Sequence, residues 1–143
     1  MATLVFDIET VPDTELGARL YGLEGLPAEE VAKAMTFRRL QETGSDFLPL
    51  HQYRVMAIAV AWRHRDTFRV ASLGDADSGE ADLISRFFET IDKQSPELVS
   101  WNGGGFDLPV LHYRALRHGI RAPRYWETGD SDTTFRYNNY LSR

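Results

Sequence analysis

Apolar and polar side chains alternate over residues 6–9, after the apolar Leu4 and Val5, which is the pattern of a strand with one buried face. The apolar positions of that face are Leu4, Phe6 and Ile8. We predict a strand over residues 3–9 whose opposite face carries Asp7 and Glu9. Two like charges at this spacing repel by about 2–3 kcal/mol at an effective dielectric constant of about 20. Such a pair in an apolar strand indicates either a cation between the carboxylates or a face open to water.

Residues 13–44 have the spacing of two helices. Pro27 suits the start of the second helix and Gly44 its end. The apolar positions at helical spacing are Leu16, Leu20 and Leu23 in the first helix and Val31, Met35 and Leu40 in the second. With the loop that follows, residues 13–50 are predicted to form a helical insertion between two strands, within a single domain that spans residues 1–143.

The rest of the chain predicts further strands and helices in alternation. The predicted elements are a central strand at 55–62, a turn at 64–66, a strand at 67–73, a helix at 80–93, a short buried strand at 97–101 and a helix at 108–118 closed by Gly119. The helix at 80–93 is predicted to have one apolar face, formed by Leu83, Ile84, Phe87, Phe88 and Ile91. The second and third strands are close enough to form a hairpin, whereas the later strand–helix–strand passage needs a crossover. The expected fold class is therefore α/β, with a mixed sheet flanked by helices.

Composition limits the kinds of site that the chain can build. The 143 residues include no cysteine, which excludes disulfides and thiolate metal sites. No apolar run approaches about 18 residues, and no basic segment precedes a long apolar run, so we expect neither a transmembrane helix nor a signal peptide. We expect a cytoplasmic protein without a membrane partner.

Charge is unevenly distributed along the chain. The net charge of −5 argues against binding to nucleic acid by charge alone. Residues 108–143 nevertheless carry six arginines against three acidic residues. These arginines are Arg114, Arg117, Arg121, Arg124, Arg136 and Arg143. They indicate either a solvated helix face with a loop or a patch that faces phosphates, and the sequence leaves both interpretations open.

A second polar motif follows the predicted strand at 97–101, in the segment SWNGGGFDLPVL. Its glycines match neither GxxxxGK[ST] nor GxGxxG, so a phosphate-binding loop is not supported. Asp107 could simply cap the next helix. It also lies at the carboxyl end of a strand, where α/β sheets bind ligands. If that strand neighbours the first one, Asp107 approaches Asp7 and Glu9, and three carboxylates suit Mg²⁺ or Mn²⁺.

The two motifs FDIET (residues 6–10) and NGGGFD (residues 102–107) resemble the first two motifs of the DEDD 3′–5′ exonucleases, which have the RNase H-like fold. The wider segment LVSWNGGGFDLPVLHYRAL and YWETGD at 125–130 are similar to bacterial predicted exonucleases related to the proofreading domain of family B DNA polymerases. The resemblance implies a two-metal-dependent exonuclease that hydrolyses phosphodiester bonds at nucleic acid 3′ ends, with single-stranded DNA favoured over RNA.

The resemblance also implies a role for each motif residue. Two Mg²⁺ or Mn²⁺ ions about 4 Å apart would stabilise the attacking hydroxide and the leaving 3′ oxygen. Asp7 would bridge both ions, Glu9 would bind the ion on the nucleophile side, and Asp107 would hold the second ion. The substrate-binding residues implied in this way are Asn102, which would contact the terminal nucleotide, Thr10, and Phe106, which would shape the pocket. From the residues alone, Phe106 and Trp101 are more simply explained as core, and His112 as a packing residue or as one that supports the site residues.

The sequence departs from the family at the third motif. The Tyr-x-x-x-Asp and His-x-x-x-x-Asp patterns of the family do not occur, and Asp130 and Asp132 are poor substitutes. We therefore expect a chain truncated at its C-terminus, without the helix that carries the third motif. Loss of a general base typically lowers the rate by about 10²–10⁴-fold, so we expect this chain to have little activity.

Three other functions fit parts of the pattern. The chain could be a nucleic-acid-binding module of the same fold that has lost catalysis. It could be another RNase H-like phosphotransfer enzyme, such as an endonuclease. It could also be a structural domain whose acidic residues are solvated.

Overall fold

Four strands form one sheet in the computed structural model, which describes residues 1–127 and 129. The strands are β1 (Thr3–Pro12), β2 (Tyr53–His64), β3 (Thr67–Ser72) and β4 (Glu97–Val99). The helices are α1 (Thr14–Tyr21), α2 (Ala28–Thr43), α3 (Glu80–Gln94) and α4 (Asp107–Arg117), and a 3₁₀ turn covers Leu50–Gln52. The predicted α/β class is confirmed, and the arrangement is consistent with an exonuclease fold. The prediction of a missing C-terminal helix falls outside the described residues.

The sheet is mixed, with the strand order β3-β2-β1-β4. β2 and β3 pair antiparallel across the two-residue turn Arg65–Asp66, which confirms the predicted hairpin. β1 and β4 pair in parallel, with Thr3 opposite Glu97 and Val5 opposite Val99. The parallel pair requires a crossover, and α3 lies within the chain segment that supplies it.

The helix α3 presents its apolar face to the sheet core, as its sequence pattern predicted. All five predicted positions are buried: Leu83, Ile84, Phe87, Phe88 and Ile91. The ring of Phe87 lies 5.0 Å from that of Phe6 on β1, between ring centroids. Val110 and Leu111 of α4 are also fully buried. This packing fixes the covered face of β1 and leaves its other face for polar residues.

Two expectations about burial are wrong at the edges of the sheet. β4 has three residues that are exposed or half-buried, because its parallel pairing with β1 covers only one edge. Trp101, expected in the core, is 93% exposed. All six residues of β3 are also exposed, which is common for a strand that is paired along one side only.

Residues 10–54 form a second compact unit, and the described residues 1–9 and 55–127 belong to the first. The predicted insertion at 13–50 lies within this second unit. Its core consists of Val31, Met35 and Leu48, with Ala18, Tyr21, Leu23 and Tyr53 packed against it. A side chain at Gly17 would collide with the sulfur of Met35, so the glycine permits the close approach of α1 and α2.

The helix boundaries predicted for this unit are close to those observed. Asp13 caps α1 by accepting a hydrogen bond from the Leu16 N–H, at 3.0 Å, and Gly44 ends α2 with a positive φ of 77°. The predicted apolar stripes are partly wrong, because Leu20 and Leu40 are 51% and 47% exposed. Among the described residues, no helix combines the length and apolar character needed to cross a membrane.

Candidate functional site

The two acidic residues of β1 lie on the face of the strand that the helices leave uncovered. Leu4 and Ile8 are buried in the core, whereas Asp7 and Glu9 are exposed. Strand alternation therefore gives the first motif its two carboxylates on one accessible face. Thr10 follows on the same strand and is half-buried.

The second motif forms a compact turn between β4 and α4. The backbone of Asn102 has a positive φ of 54°, and its carbonyl accepts hydrogen bonds from the Gly105 and Phe106 N–H groups, at 3.0 and 3.1 Å. The Leu108 N–H donates to the Gly103 carbonyl at 2.8 Å. A Cβ at Gly103 would lie 3.6 Å from the ring of Phe6 and 2.8 Å from the Cβ of Ser100. The loop is thus braced by hydrogen bonds within its own backbone, and Gly103 packs beside Phe6 of β1.

Asp107 joins the two motifs directly. It is the first residue of α4, its side chain is only 4% exposed, and its carboxylate accepts a hydrogen bond from the Ile8 N–H of β1. Ile8 is the residue between Asp7 and Glu9. The N-cap position belongs to Phe106, so the alternative that Asp107 merely caps the helix is wrong.

The site has an excess of negative charge. Burial is the main reason why the pKa of Asp107 is raised above its usual value, and the nearby charge of Asp7 raises it further. Hydrogen bonds from the backbone N–H groups of Asp107 and Ile8 act in the opposite direction. A bound cation would relieve this repulsion, and carboxylate oxygens are the ligands that Mg²⁺ and Mn²⁺ prefer.

The carboxylates are not gathered into a closed cluster. Within the described part of the chain, no group of three or more His, Asp or Glu side chains is arranged to hold a metal ion. Asp107 is turned to the backbone of β1, whereas Asp7 and Glu9 extend on its exposed face. Carboxylate oxygens are suitable ligands for a divalent metal, but the carboxylates of Asp7, Glu9 and Asp107 do not converge on one point.

The remaining motif residues lie around this turn. Asn102 is exposed and Phe106 is half-buried, so Phe106 is not a fully buried core residue. The ring of His112 lies 4.2 Å from that of Trp126, between centroids, and its burial lowers its pKa. His112 therefore packs against Trp126, which is one of the two roles that the sequence left open. Asp130 and Asp132 lie outside the described residues.

A buried ion pair behind the site was missed by sequence reasoning. Glu80, the first residue of α3, accepts hydrogen bonds from Nε and Nη2 of Arg114 at 2.7 and 2.6 Å. It also accepts one from the Val55 N–H at 2.8 Å and lies 2.7 Å from Nε2 of His118. Burial raises the pKa of Glu80, but the hydrogen bonds from Arg114, His118 and Val55 outweigh it, so the net pKa is lowered.

This ion pair corrects the interpretation of the arginine-rich segment. Arg114 is 2% exposed and cannot face phosphates. Arg124 is also engaged internally: its N–H donates to Asp92 at 2.9 Å, and its Nε to Ser95 at 2.8 Å. The position of Arg114, three and four residues after Leu111 and Val110, could have indicated that it shares their buried face. Arg136 and Arg143 lie outside the described residues.

Comparison with known proteins shows which protein family this chain resembles. Residues 45–143, more than two thirds of the chain, match a protein family described as predicted 3′–5′ exonuclease related to the exonuclease domain of PolB. The DNA polymerase of Thermococcus litoralis is 33% identical over 66 residues, which cover 46% of this chain and 4% of that polymerase. The DNA polymerase of Pyrococcus glycovorans is 40% identical over 47 residues, which cover 32% of this chain and 6% of that polymerase.

The matched range includes the second motif, with Asn102, Phe106 and Asp107, and begins after the first. The pairing of β1 with β4 and the bond from Ile8 to Asp107 bring the first motif beside the second. The aligned segments span only a small part of either polymerase. Because the family match covers most of its length, the chain belongs to the predicted 3′–5′ exonucleases related to the exonuclease domain of PolB.

Proposed function

We propose that this chain carries a metal-dependent 3′–5′ exonuclease site that hydrolyses the terminal phosphodiester bond of single-stranded DNA. The observation that carries the proposal is the position of Asp107, whose carboxylate bonds to the β1 backbone between Asp7 and Glu9. Two motifs about one hundred residues apart in sequence thus meet at the carboxyl end of a parallel strand pair, where α/β sheets bind ligands.

Asp7, Glu9 and Asp107 would hold Mg²⁺ or Mn²⁺, two ions in the complete site. When bound, such ions supply positive charge to the attacking and leaving oxygens of a phosphodiester. Asp7 would be a ligand of both ions, Glu9 would help to position the attacking water from the open face of β1, and Asp107 would hold the second ion. Asn102, Thr10 and Phe106 would bind the terminal nucleotide.

We expect hydrolysis by this chain to be slow. Neither spacing that would supply a general base in the third motif occurs in residues 1–143. Loss of a general base typically costs about 10²–10⁴-fold in rate, so the assay must be sensitive to single turnovers over hours.

The test is degradation of a 5′-labelled single-stranded oligodeoxynucleotide in Mn²⁺, with Asp7→Asn, Asp107→Asn and, as a matched control, Asp66→Asn. Asp66 is exposed in the β2–β3 turn, away from the site. We expect a ladder shortening from the 3′ end that both site variants abolish and the control preserves. Cleavage of circular single-stranded DNA would show an endonuclease, and a ladder unaffected by Asp7→Asn would contradict the proposal.

A nucleic-acid-binding module without catalysis is the second candidate. It is favoured by one observation, that no three acidic or histidine side chains in the described residues are arranged to hold a metal ion. This candidate predicts that the chain binds single-stranded DNA equally well in Mg²⁺ and in EDTA. The exonuclease proposal predicts much weaker binding in EDTA, because the uncompensated carboxylates repel the phosphates.

A further inference from the structure

We propose that Trp101 is a stacking platform for the base of the 3′-terminal nucleotide, an inference that rests on the proposed exonuclease function. Trp101 is 93% exposed, more than any other aromatic residue in the described part of the chain. An indole this exposed is not packed in the protein's own core. Its large apolar face is therefore available to a ligand with a matching flat surface.

The register of β1 and β4 places Trp101 beside Asp7 of the proposed site. Val5 and Val99 are paired across the parallel strands. Two residues further along, β1 has reached Asp7, and the chain that leaves β4 has reached Trp101. Val5 and Val99 are themselves 41% and 43% exposed, so an apolar strip leads up to the acidic residues.

The loop that follows Trp101 is held in a compact turn by hydrogen bonds within its own backbone. The Asn102 carbonyl accepts two backbone hydrogen bonds, and Gly103 lies against the ring of Phe6, the residue before Asp7. The backbone next to Trp101 therefore packs beside the strand that carries the first motif. A base stacked on the indole would leave its sugar and phosphate beside the carboxylates.

The chemistry of stacking defines the ligand. Every nucleobase has a flat π face, so a tryptophan platform accepts any base and rejects a nucleotide that has none. Loss of one such contact by substitution to alanine typically lowers affinity by about 5- to 150-fold. The inferred specificity is thus for a base-bearing 3′ end of any sequence.

The experiment measures binding of the full chain to single-stranded DNA in Ca²⁺, with two probes that differ only in an ordinary or an abasic 3′-terminal residue. The variants are Trp101→Ala and Trp101→Phe. Phe68→Ala is the matched control, because Phe68 is a 67% exposed aromatic residue on β3, at the opposite edge of the sheet.

We expect Trp101→Ala to lower affinity for the ordinary end by about 5- to 150-fold and to leave affinity for the abasic end unchanged. Trp101→Phe should retain most of the affinity, and Phe68→Ala all of it. An equal loss for both probes, or no loss, would overturn the inference. So would protection of Trp101 from acrylamide quenching in the free chain, which would mean that another segment or a second copy covers it.

Failure of this inference is distinguishable from failure of the proposed function. If Asp7→Asn abolishes hydrolysis while Trp101→Ala leaves KM unchanged, the exonuclease stands and the platform does not exist. If the wild-type chain neither binds nor hydrolyses single-stranded DNA, both are wrong.

Discussion

At the scale of single residues, the position of Asp107 destabilises its ionised form. Its carboxylate is buried, lies near Asp7, and has its pKa raised by both effects. An acidic group whose pKa is higher in the folded state than in the unfolded state destabilises the fold when it is ionised. This destabilisation grows as the pH rises from the unfolded-state pKa through the higher folded-state pKa. A buried charge that lowers the stability of the fold is commonly retained where the function of a site requires that charge.

We predict that Asp107→Asn stabilises the metal-free chain at pH 7 by about 0.5–2 kcal/mol, the usual range for a stabilising substitution. The amide oxygen can still accept the hydrogen bond from the Ile8 N–H, while the charge is removed. Urea unfolding measured with EDTA present gives the difference in free energy.

The matched control for this substitution is Asp66→Asn, in the exposed turn between β2 and β3, which should change stability little. The same Asp107→Asn protein should be less stabilised by Mn²⁺ than the wild type. A destabilised Asp107→Asn chain would mean that the carboxylate contributes more through its hydrogen bonds than it costs through burial.

At the scale of elements, α4 is held at two points along one face. Asp107, its first residue, bonds to β1, and Arg114, two turns later, bonds to Glu80 of α3. Glu80 in turn accepts the Val55 N–H of β2. These contacts fix both the position and the rotation of the helix, so the ion pair behind the site supports the placement of Asp107.

We predict that Arg114→Met destabilises the fold by about 3–5 kcal/mol, because it leaves the buried Glu80 carboxylate without its main partner. The double variant Glu80→Gln/Arg114→Met should be much less destabilised than the sum of the two single variants. Urea unfolding of all four proteins gives the coupling energy. The pair Asp82–Arg86, exposed on the same helix, is the control and should show little coupling.

The pH dependence of this ion pair follows from the lowered pKa of Glu80. Its stabilisation is fully present above the ordinary pKa of 4.5 and is lost as the pH falls through the lower, folded-state value. The coupling measured at pH 7 should therefore decrease on acidification below 4.5. A coupling that is constant with pH would mean that Arg114 does not interact with an ionised Glu80.

The sequence was most informative where a periodic pattern coincided with packing. The stripe of α3 and the alternation of β1 were predicted because one face of each element meets the core. Trp101 and Arg114 were predicted wrongly for a shared reason. Residue type suggests burial for tryptophan and exposure for arginine. The burial of Arg114 depends instead on Glu80, a partner from a distant part of the chain, and Trp101 lies just after β4, at the edge of the sheet.

The approach of Asp107 to β1 was predicted only conditionally. It depended on whether the strand at 97–99 neighbours the first strand, a long-range pairing that no local pattern specifies. The motif spacing and the resemblance made the pairing plausible, whereas the hydrogen bond to Ile8 required the structure.

At the scale of the whole molecule, charge limits how nucleic acid can bind. The chain carries a net charge of −5, and two arginines of its basic segment, Arg114 and Arg124, are committed to internal contacts. In the proposed site, cations bound at the carboxylates would supply attraction to phosphates, and stacking would bind a base without using charge.

We predict that affinity for single-stranded DNA falls at least tenfold when Ca²⁺ is replaced by EDTA. With Ca²⁺ present, the slope of log K against log salt should be shallower than about −2, equivalent to fewer than three phosphates neutralised by side chains. Titrations between low and physiological salt measure both quantities. A steep slope that is the same in EDTA would favour the binding module.

The hydrogen bond from the Ile8 N–H to Asp107 also gives the molecule a natural spectroscopic probe. The chemical shift of an amide proton depends on the charge of its hydrogen-bond acceptor. Protonation of Asp107, or binding of a cation to its carboxylate, would therefore shift the Ile8 amide resonance. The Leu16 amide, which donates to the Asp13 carboxylate at 3.0 Å in the second unit, is an internal reference of the same kind. A two-dimensional nitrogen–proton spectrum could thus follow events in the site without any label foreign to the chain.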